Sequence, residues 1–163
     1  GLVGLSLPTY SKLQSIHLNM HSPRTPGYTL FQSNEIDINI VTQEYLFSKL
    51  IVLLSGREAE KLHFNKSITT GASHDFSEAY TLAEKMIMKY GMGKNEIFPY
   101  NSDKSKNIID NEIMKMITDA QYQSQIILES FKDVMILLAP KLIKKKNLKR
   151  DIILSTIKNI KIS

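Results

Sequence analysis

The spacing of hydrophobic residues changes near residue 42, and this change limits the folds that the chain can adopt. Apolar and polar residues alternate over residues 16–21, and a β-favouring segment at residues 27–31 follows a turn-forming stretch. The region before residue 42 is therefore predicted to contain a small β-hairpin or sheet. Beyond it, apolar residues recur at helical spacing, so the predicted fold class is mainly α, a helical bundle with a small N-terminal β region.

Two helices are predicted in the first half of the helical region. One covers about residues 43–63, with the Thr42 side chain as its N-terminal cap. The next follows an apolar stripe over residues 76–90, and Gly91 suits a left-handed cap at its end. Three large side chains lie on that stripe and are predicted to be core residues: Tyr80, Met86 and Tyr90.

The second half is predicted to contain one long helix and one short helix. Residues 91–107 are polar and indicate a loop, and an apolar stripe then continues over residues 109–134. Pro140 is expected to end or kink any helix that reaches it, because proline lacks a backbone N–H. Asn147 is predicted to cap a last helix that runs through Ile157.

The composition excludes several kinds of site and partner. The chain has no cysteine, so a bound metal would have to use His, Asp or Glu ligands. Residues 141–150 carry six Lys or Arg and no acid, but no aromatic residues interleave with them to stack on bases. A solvated helix face is predicted there, and no nucleic-acid partner. No apolar run has the length of a membrane span, so this segment is not expected to contact a membrane.

His17 and His21 have the spacing of a zinc-binding H-x-x-x-H helix, but Leu18 stands where a general-base Glu belongs. On a helix, residues four apart share one face and can chelate one ion. The surrounding alternation predicts a strand instead, and there the pair would be about 13 Å apart, too far to share a zinc ion. We therefore predict no metal site at this motif.

Five short motifs, in matching order and spacing, carry a resemblance that covers nearly the whole chain. They are S-G-R-E-A-E at residues 55–60, T-T-G-A-S-H-D-F at residues 69–76, Y-G-M at residues 90–92, G-Y-T at residues 27–29 and G-L-V-G at residues 1–4. The chain resembles the peptidase domain of FtsH-type ATP-dependent zinc metalloproteases. In that family G-G-R-x-A-E-E leads through T-T-G-A-S-N-D-L to Y-G-M-S, and A-L-V-G follows the zinc-binding H-E-x-G-H.

The resemblance implies roles for individual residues. Asp75 takes the position of the third zinc ligand, which completes a site of two His and one Asp. His74 replaces the usual Asn beside it, either as a hydrogen-bonding neighbour of the metal site or as an exposed residue. Glu60 matches a family acid, either a partner of a ligating His or a surface residue. Three residues match the strand that pairs with extended substrates, unless they only close a hairpin: Gly27, Tyr28 and Thr29.

The resemblance also implies an activity and its partners. The expected protein is a zinc metalloendopeptidase that degrades unfolded or membrane proteins, and it uses ATP only through a separate ATPase module of the same parent chain. Family members form hexamers, and the parent is expected to be anchored in a bacterial or organellar inner membrane.

Residues 1–163 are interpreted as an N-terminally incomplete peptidase domain, with a remnant helix and β region at residues 1–41 and a helical region at residues 42–163. The sequence contains no H-E-x-x-H, so the chain alone is expected to be inactive. It is expected to be a fragment of a longer protease. The alternative is a pseudoprotease that acts as a structural or interaction module.

Overall fold

A computed structural model describes residues 1–19, 27–32, 40–64, 69–95 and 102–161. Six α-helices and three strands lie within these residues, and this confirms a mainly α fold with a small sheet. They are α1 (Leu2–Ser6), β1 (Leu13–Leu18), β2 (Gly27–Phe31), α2 (Gln43–His63), α3 (Ser73–Met88), α4 (Asp103–Ser130), α5 (Lys132–Lys145), β3 (Asn147–Lys149) and α6 (Arg150–Lys161). No helix in the described part is long and apolar enough to cross a membrane.

The chain divides into two compact units, one formed by Gly1–Asp37 with Ile127–Ser163 and the other by Ile38–Ile126. In the first unit β1 lies between β2 and β3 and pairs antiparallel with both. Apolar side chains from helices and strands form its core, and they are Leu2, Leu13, Val134, Leu138, Leu148 and Ile153. Burial of these side chains drives the packing of the N-terminal strands with the C-terminal helices.

The third strand, β3, corrects the prediction for Asn147. This residue does not cap a helix, because it pairs with His17 in the sheet, and α6 begins at Arg150. The pairing places Leu148 in the core at 1% exposure. Arg150, the first residue of α6, donates a hydrogen bond from Nη1 to the Leu13 carbonyl of β1 at 3.3 Å. Burial of Leu148 and pairing with a distant strand override the local capping preference of asparagine.

In the second unit α2 packs against α3. The Thr42 cap is confirmed, since its Oγ1 accepts a hydrogen bond from the Tyr45 amide at 3.2 Å. The contact face is apolar and includes small residues, which allow close approach of the two helices; its most buried members are Leu50, Leu54, Ala79, Ala83 and Met86. This packing fixes the start of α3 relative to the second half of α2.

The prediction of core residues on α3 was right for Met86, which is fully buried, and wrong for Tyr80 and Tyr90. These two side chains are 44% and 53% exposed. Tyr80 directly follows the buried Ala79, and one residue along a helix is a rotation of about 100°, which turns it away from α2. Gly91 has φ +62°, so the predicted left-handed conformation after α3 is confirmed.

The long helix ends earlier than Pro140. A turn at Phe131 separates α4 from α5, where the Phe131 amide bonds the Leu128 carbonyl at 3.0 Å. Pro140 lies inside α5 and does not end it. The proline removes one intrahelical donor to the carbonyl of Ile136, and both residues are exposed. Water can therefore satisfy a group that would be costly to bury.

Candidate metal centre

Asp75 lies in the first turn of α3, directly after a short 3₁₀ turn at Thr70–Ala72. The residue is exposed, yet enough protein surrounds its carboxyl group that burial raises its pKa. The nearby Glu78 raises this pKa further, and His74 opposes the shift. Among the described residues, none donates a hydrogen bond to the Asp75 carboxylate. Both oxygens are thus available to a cation.

His74 occupies the outer side of the same helical turn. Its side chain is 84% exposed, and Nε2 lies 3.8 Å from Oε1 of Glu78. His74 also lines a groove of about 240 Å³ between α2 and α3, which does not include Asp75. In this position the imidazole faces a neighbouring acid on α3, and a role beside a metal stays a prediction.

Glu60 contacts the segment that leads into Asp75. Its Oε2 accepts a hydrogen bond from the Thr69 amide, and its Oε1 accepts one from Thr69 Oγ1, both at 2.8 Å. Thr69 Oγ1 in turn accepts a bond from the Gly71 amide at 3.1 Å. The carboxylate is therefore engaged with the turn before α3. Each of its oxygens retains acceptor capacity, so the predicted bond to a ligating His stays open.

Arg57 contacts Phe76, the residue that follows Asp75, and the sequence motifs did not indicate this contact. Its guanidinium carbon lies 4.5 Å from the centroid of the Phe76 ring, a cation–π geometry. Gly56, one residue earlier on α2, faces Ala72 across a short gap, and a Cβ built on Gly56 would lie 3.9 Å from that of Ala72. The motif on α2 and the motif before α3 thus form one contact surface.

Glu58 is a buried acid that sequence reasoning missed. It occupies the variable position of G-R-x-A-E and is 1% exposed. Its Oε1 lies 2.7 Å from Lys61 Nζ, and its Oε2 accepts a bond from Gln125 Nε2 at 2.6 Å. The signal was available in the spacing, because Leu50, Leu54 and Glu58 succeed each other at four-residue intervals on the buried face of α2.

The first unit contains the predicted substrate-binding strand and His17, which belongs to the histidine motif that was predicted to hold no metal. His17 is in β1, as predicted; its Nε2 is 2.9 Å from Ser15 Oγ, and its ring stacks on Tyr28 at 4.7 Å. His21 lies outside the described residues. Gly27, Tyr28 and Thr29 belong to β2, at one edge of the described sheet, where Gly27 and Tyr28 are exposed. Their predicted role in binding an extended polypeptide remains a prediction.

The described residues contain no group of three or more His, Asp or Glu side chains that could hold a metal ion. Asp75 by itself fits one position of such a site, since its oxygens are free and partly desolvated. Zinc commonly takes a single carboxylate beside two His ligands. The remaining ligands would have to come from outside the described residues.

Comparison with known proteins gives a family match and several relatives of this chain. The sequence profile of peptidase family M41 matches residues 1–155. The ATP-dependent zinc metalloprotease FtsH 2 of Thermoanaerobacter sp. is 35% identical over 77% of this chain and 24% of its own length. FtsH 4 of Synechocystis sp. is 30% identical over 89% of this chain and 26% of its own length. FtsH of Mycoplasma genitalium is 31% identical over 93% of this chain and 24% of its own length.

The chain spans about a quarter of the length of these relatives. The profile, in contrast, extends over nearly the whole chain and includes the segment from Gly56 to Phe76 that surrounds Asp75. The chain therefore belongs to peptidase family M41, with FtsH-type ATP-dependent zinc metalloproteases as its relatives.

Proposed function

We propose that this chain forms part of the peptidase domain of an ATP-dependent zinc metalloendopeptidase. The observation that supports the proposal most directly is the placement of Asp75, whose carboxylate is free among the described residues at the start of α3. Membership of peptidase family M41 supports the reaction class, hydrolysis of peptide bonds. The names of the relatives support zinc as the metal and ATP as the energy source.

In this proposal Asp75 is one of the zinc ligands. Bound zinc lowers the pKa of a water molecule and polarises the peptide carbonyl that the water attacks. The Asp75 carboxylate supplies negative charge and orients the ion from the first turn of α3. Two His ligands and a general-base Glu would come from an H-E-x-x-H segment, which these 163 residues do not contain.

The proposed substrate is an extended polypeptide. β2 offers unpaired backbone groups at the edge of the described sheet, and an extended chain can add to such an edge as a further strand. Gly27 and Tyr28 are exposed there, which leaves room for such a strand. Unfolded or membrane proteins are the proposed substrates, because strand addition requires a chain that has lost its own structure.

We further propose that ATP acts through a separate ATPase module of the same parent protein, in a membrane-anchored hexamer. These proposals rest on the family and on the names of relatives that are about three to four times as long as this chain. Unfolding by an ATPase would supply the extended polypeptide that β2 requires.

Metal analysis of the full-length protein tests the proposal. We expect about one zinc ion per chain in the wild type. Asp75→Ala should remove most of the zinc and reduce hydrolysis of an unfolded protein by at least about 100-fold, because a lost ligand opens the site. Glu84→Ala, an exposed acid on the same helix, is the matched control and should leave both unchanged. Full zinc content and activity in Asp75→Ala would contradict the role of Asp75.

The second candidate is a catalytically inactive structural module, and it requires that the parent protein also lacks H-E-x-x-H. The same measurements separate the two. A full-length wild type that binds no zinc and cleaves no unfolded protein would support the structural module. Zinc-dependent cleavage would exclude it.

A further inference from the structure

α2 contacts the chain on both sides of Asp75, and we propose that Arg57 and Glu60 form a brace that fixes the position of the Asp75 carboxylate. The brace consists of two contacts: Glu60 with Thr69, and Arg57 with Phe76. Arg57 and Glu60 are positioning residues in this proposal. The identity of Asp75 as a zinc ligand rests on the proposed function, whereas the brace itself can be tested without metal.

Glu60 binds Thr69, in the segment that precedes Asp75, through hydrogen bonds. A charged acceptor bonds both the amide and the hydroxyl of Thr69, and such bonds are about twice as strong as neutral ones. The Thr69 hydroxyl also accepts a hydrogen bond from the Gly71 amide, and this bond links the next part of the turn to Glu60. The 3₁₀ turn that leads into α3 is thereby tied to the last part of α2.

Arg57 holds the chain after Asp75. Its guanidinium lies over the ring of Phe76, the residue that directly follows the ligand. Arg57 and Glu60 are three residues apart on α2, so their side chains project from the same face. Between these two contacts Ala72 is 8% exposed and faces Gly56, where a built Cβ would lie 3.9 Å from that of Ala72.

The brace matters because the Asp75 side chain has no hydrogen-bond partner of its own among the described residues. Its position therefore depends on the backbone that carries it. A metal site needs its ligands within about 0.5 Å of the productive geometry. Loosening the segment from Thr69 to Phe76 should weaken metal binding even though no ligand is changed.

Thr69 gives the sharpest test, because its side chain can be changed without touching Glu60. Thr69→Val keeps the shape and removes the hydroxyl, whereas Thr69→Ser keeps the hydroxyl. In the 163-residue chain we expect Thr69→Val and Glu60→Gln to raise amide hydrogen exchange over residues 69–76 by about tenfold. Thr69→Ser and the control Glu84→Gln should exchange like the wild type, and exchange in α4 should be unchanged in all four.

Zinc affinity of the full-length protein, measured by competition with a coloured chelator, is the second readout. Thr69→Val and Arg57→Ala should weaken zinc binding by about 10-fold to 100-fold, the usual effect of removing a group that orients a ligand. Thr69→Ser should restore wild-type affinity. A purely structural role would lower the melting temperature without this dependence on the hydroxyl.

Two results would overturn the brace. The first is wild-type exchange and zinc affinity in Thr69→Val. The second is weaker zinc binding in Glu60→Gln but not in Thr69→Val, which would mean that Glu60 acts on a ligating His and not on the turn. A wild-type protein that binds no zinc would instead refute the proposed function, and hydrogen exchange would still decide whether the brace exists.

Discussion

At the scale of single residues, two acids on neighbouring helices have opposite environments. Glu58 is fully buried and paired with Lys61 and Gln125, whereas Asp75 has no hydrogen-bond partner among the described residues. A buried acid with hydrogen-bonding partners is satisfied within the protein, and a partly desolvated, unpaired acid is available to a ligand. The resemblance to a known family singled out Asp75 from sequence alone, and its role as a zinc ligand stays a prediction. Glu58 was missed although its four-residue spacing from Leu50 and Leu54 places it on the buried face of α2, because an acid is seldom expected at a buried position.

Removing the Lys61 side chain, which pairs with Glu58, should lower the free energy of unfolding more than replacing Glu58 itself. Lys61→Ala leaves a buried carboxylate with Gln125 as its remaining partner, so we expect a loss of about 1–3 kcal/mol in the free energy of unfolding. Glu58→Met removes the charge and fills the space, and it should cost less than about 1 kcal/mol. Urea denaturation of both variants provides the comparison. A larger loss of stability for Glu58→Met than for Lys61→Ala would contradict this account of the pair.

The raised pKa of Asp75 predicts how its replacement depends on pH. Burial and Glu78 disfavour the charged carboxylate in the folded chain, so ionisation of Asp75 destabilises the fold as pH rises through this raised pKa. In the metal-free 163-residue chain, Asp75→Asn should therefore raise the melting temperature at pH 7 and have little effect at pH 3. Thermal unfolding with a chelator present measures this. A lower melting temperature at pH 7 would show that Asp75 stabilises the folded chain.

At the scale of elements, hydrophobic spacing predicted where most helices and strands lie. The predicted helix over residues 43–63 matches α2, since Thr42, the apolar stripe and the length agree locally. The break at Phe131 could not be predicted, because no proline or glycine marks it and the apolar spacing runs through it. Nor could β3, whose partner β1 is more than 100 residues away. Local signals fail where distant packing decides the structure.

The turn after α3 is held by a close contact between two elements. Glu112 on α4 accepts two hydrogen bonds from Asn95 through Oε1, and its Oε2 lies against Gly93. A methyl group at Gly93 would collide with this carboxylate and would lie 3.2 Å from Ile87 Cδ1. We expect Gly93→Ala to displace the Glu112 carboxylate from Asn95 and to reduce stability by about 0.5–1.5 kcal/mol, the usual contribution of a hydrogen bond.

Gly56→Ala is the matched control for this prediction, because its added Cβ would meet only Ala72, at 3.9 Å. Alanine is favoured over glycine inside a helix by about 1 kcal/mol, so this variant should be neutral or stabilising. Urea denaturation of the two variants provides the measurement. Equal effects would mean that the contact of Gly93 with Glu112 does not hold the turn.

At the scale of the whole molecule, two of the family motifs, one on α2 and one before α3, lie against each other beside Asp75. The role of Asp75 as a zinc ligand stays a prediction. Composition and periodicity alone would not have indicated a peptidase. They describe a mainly α chain, and an acid at the start of a helix is common for reasons of the helix dipole.

The 163-residue chain should therefore be unable to hydrolyse peptides by itself. It contains one expected zinc ligand, and the two His ligands and general-base Glu of H-E-x-x-H are absent from its sequence. A single carboxylate holds zinc weakly, and no base stands ready to take a proton from water. With excess zinc and an unfolded protein substrate, the purified chain should give the rate of buffer alone, while the full-length protein serves as the positive control. Zinc-dependent cleavage by the chain would mean that its own residues complete a site, with His21 outside the described part as the first candidate to replace.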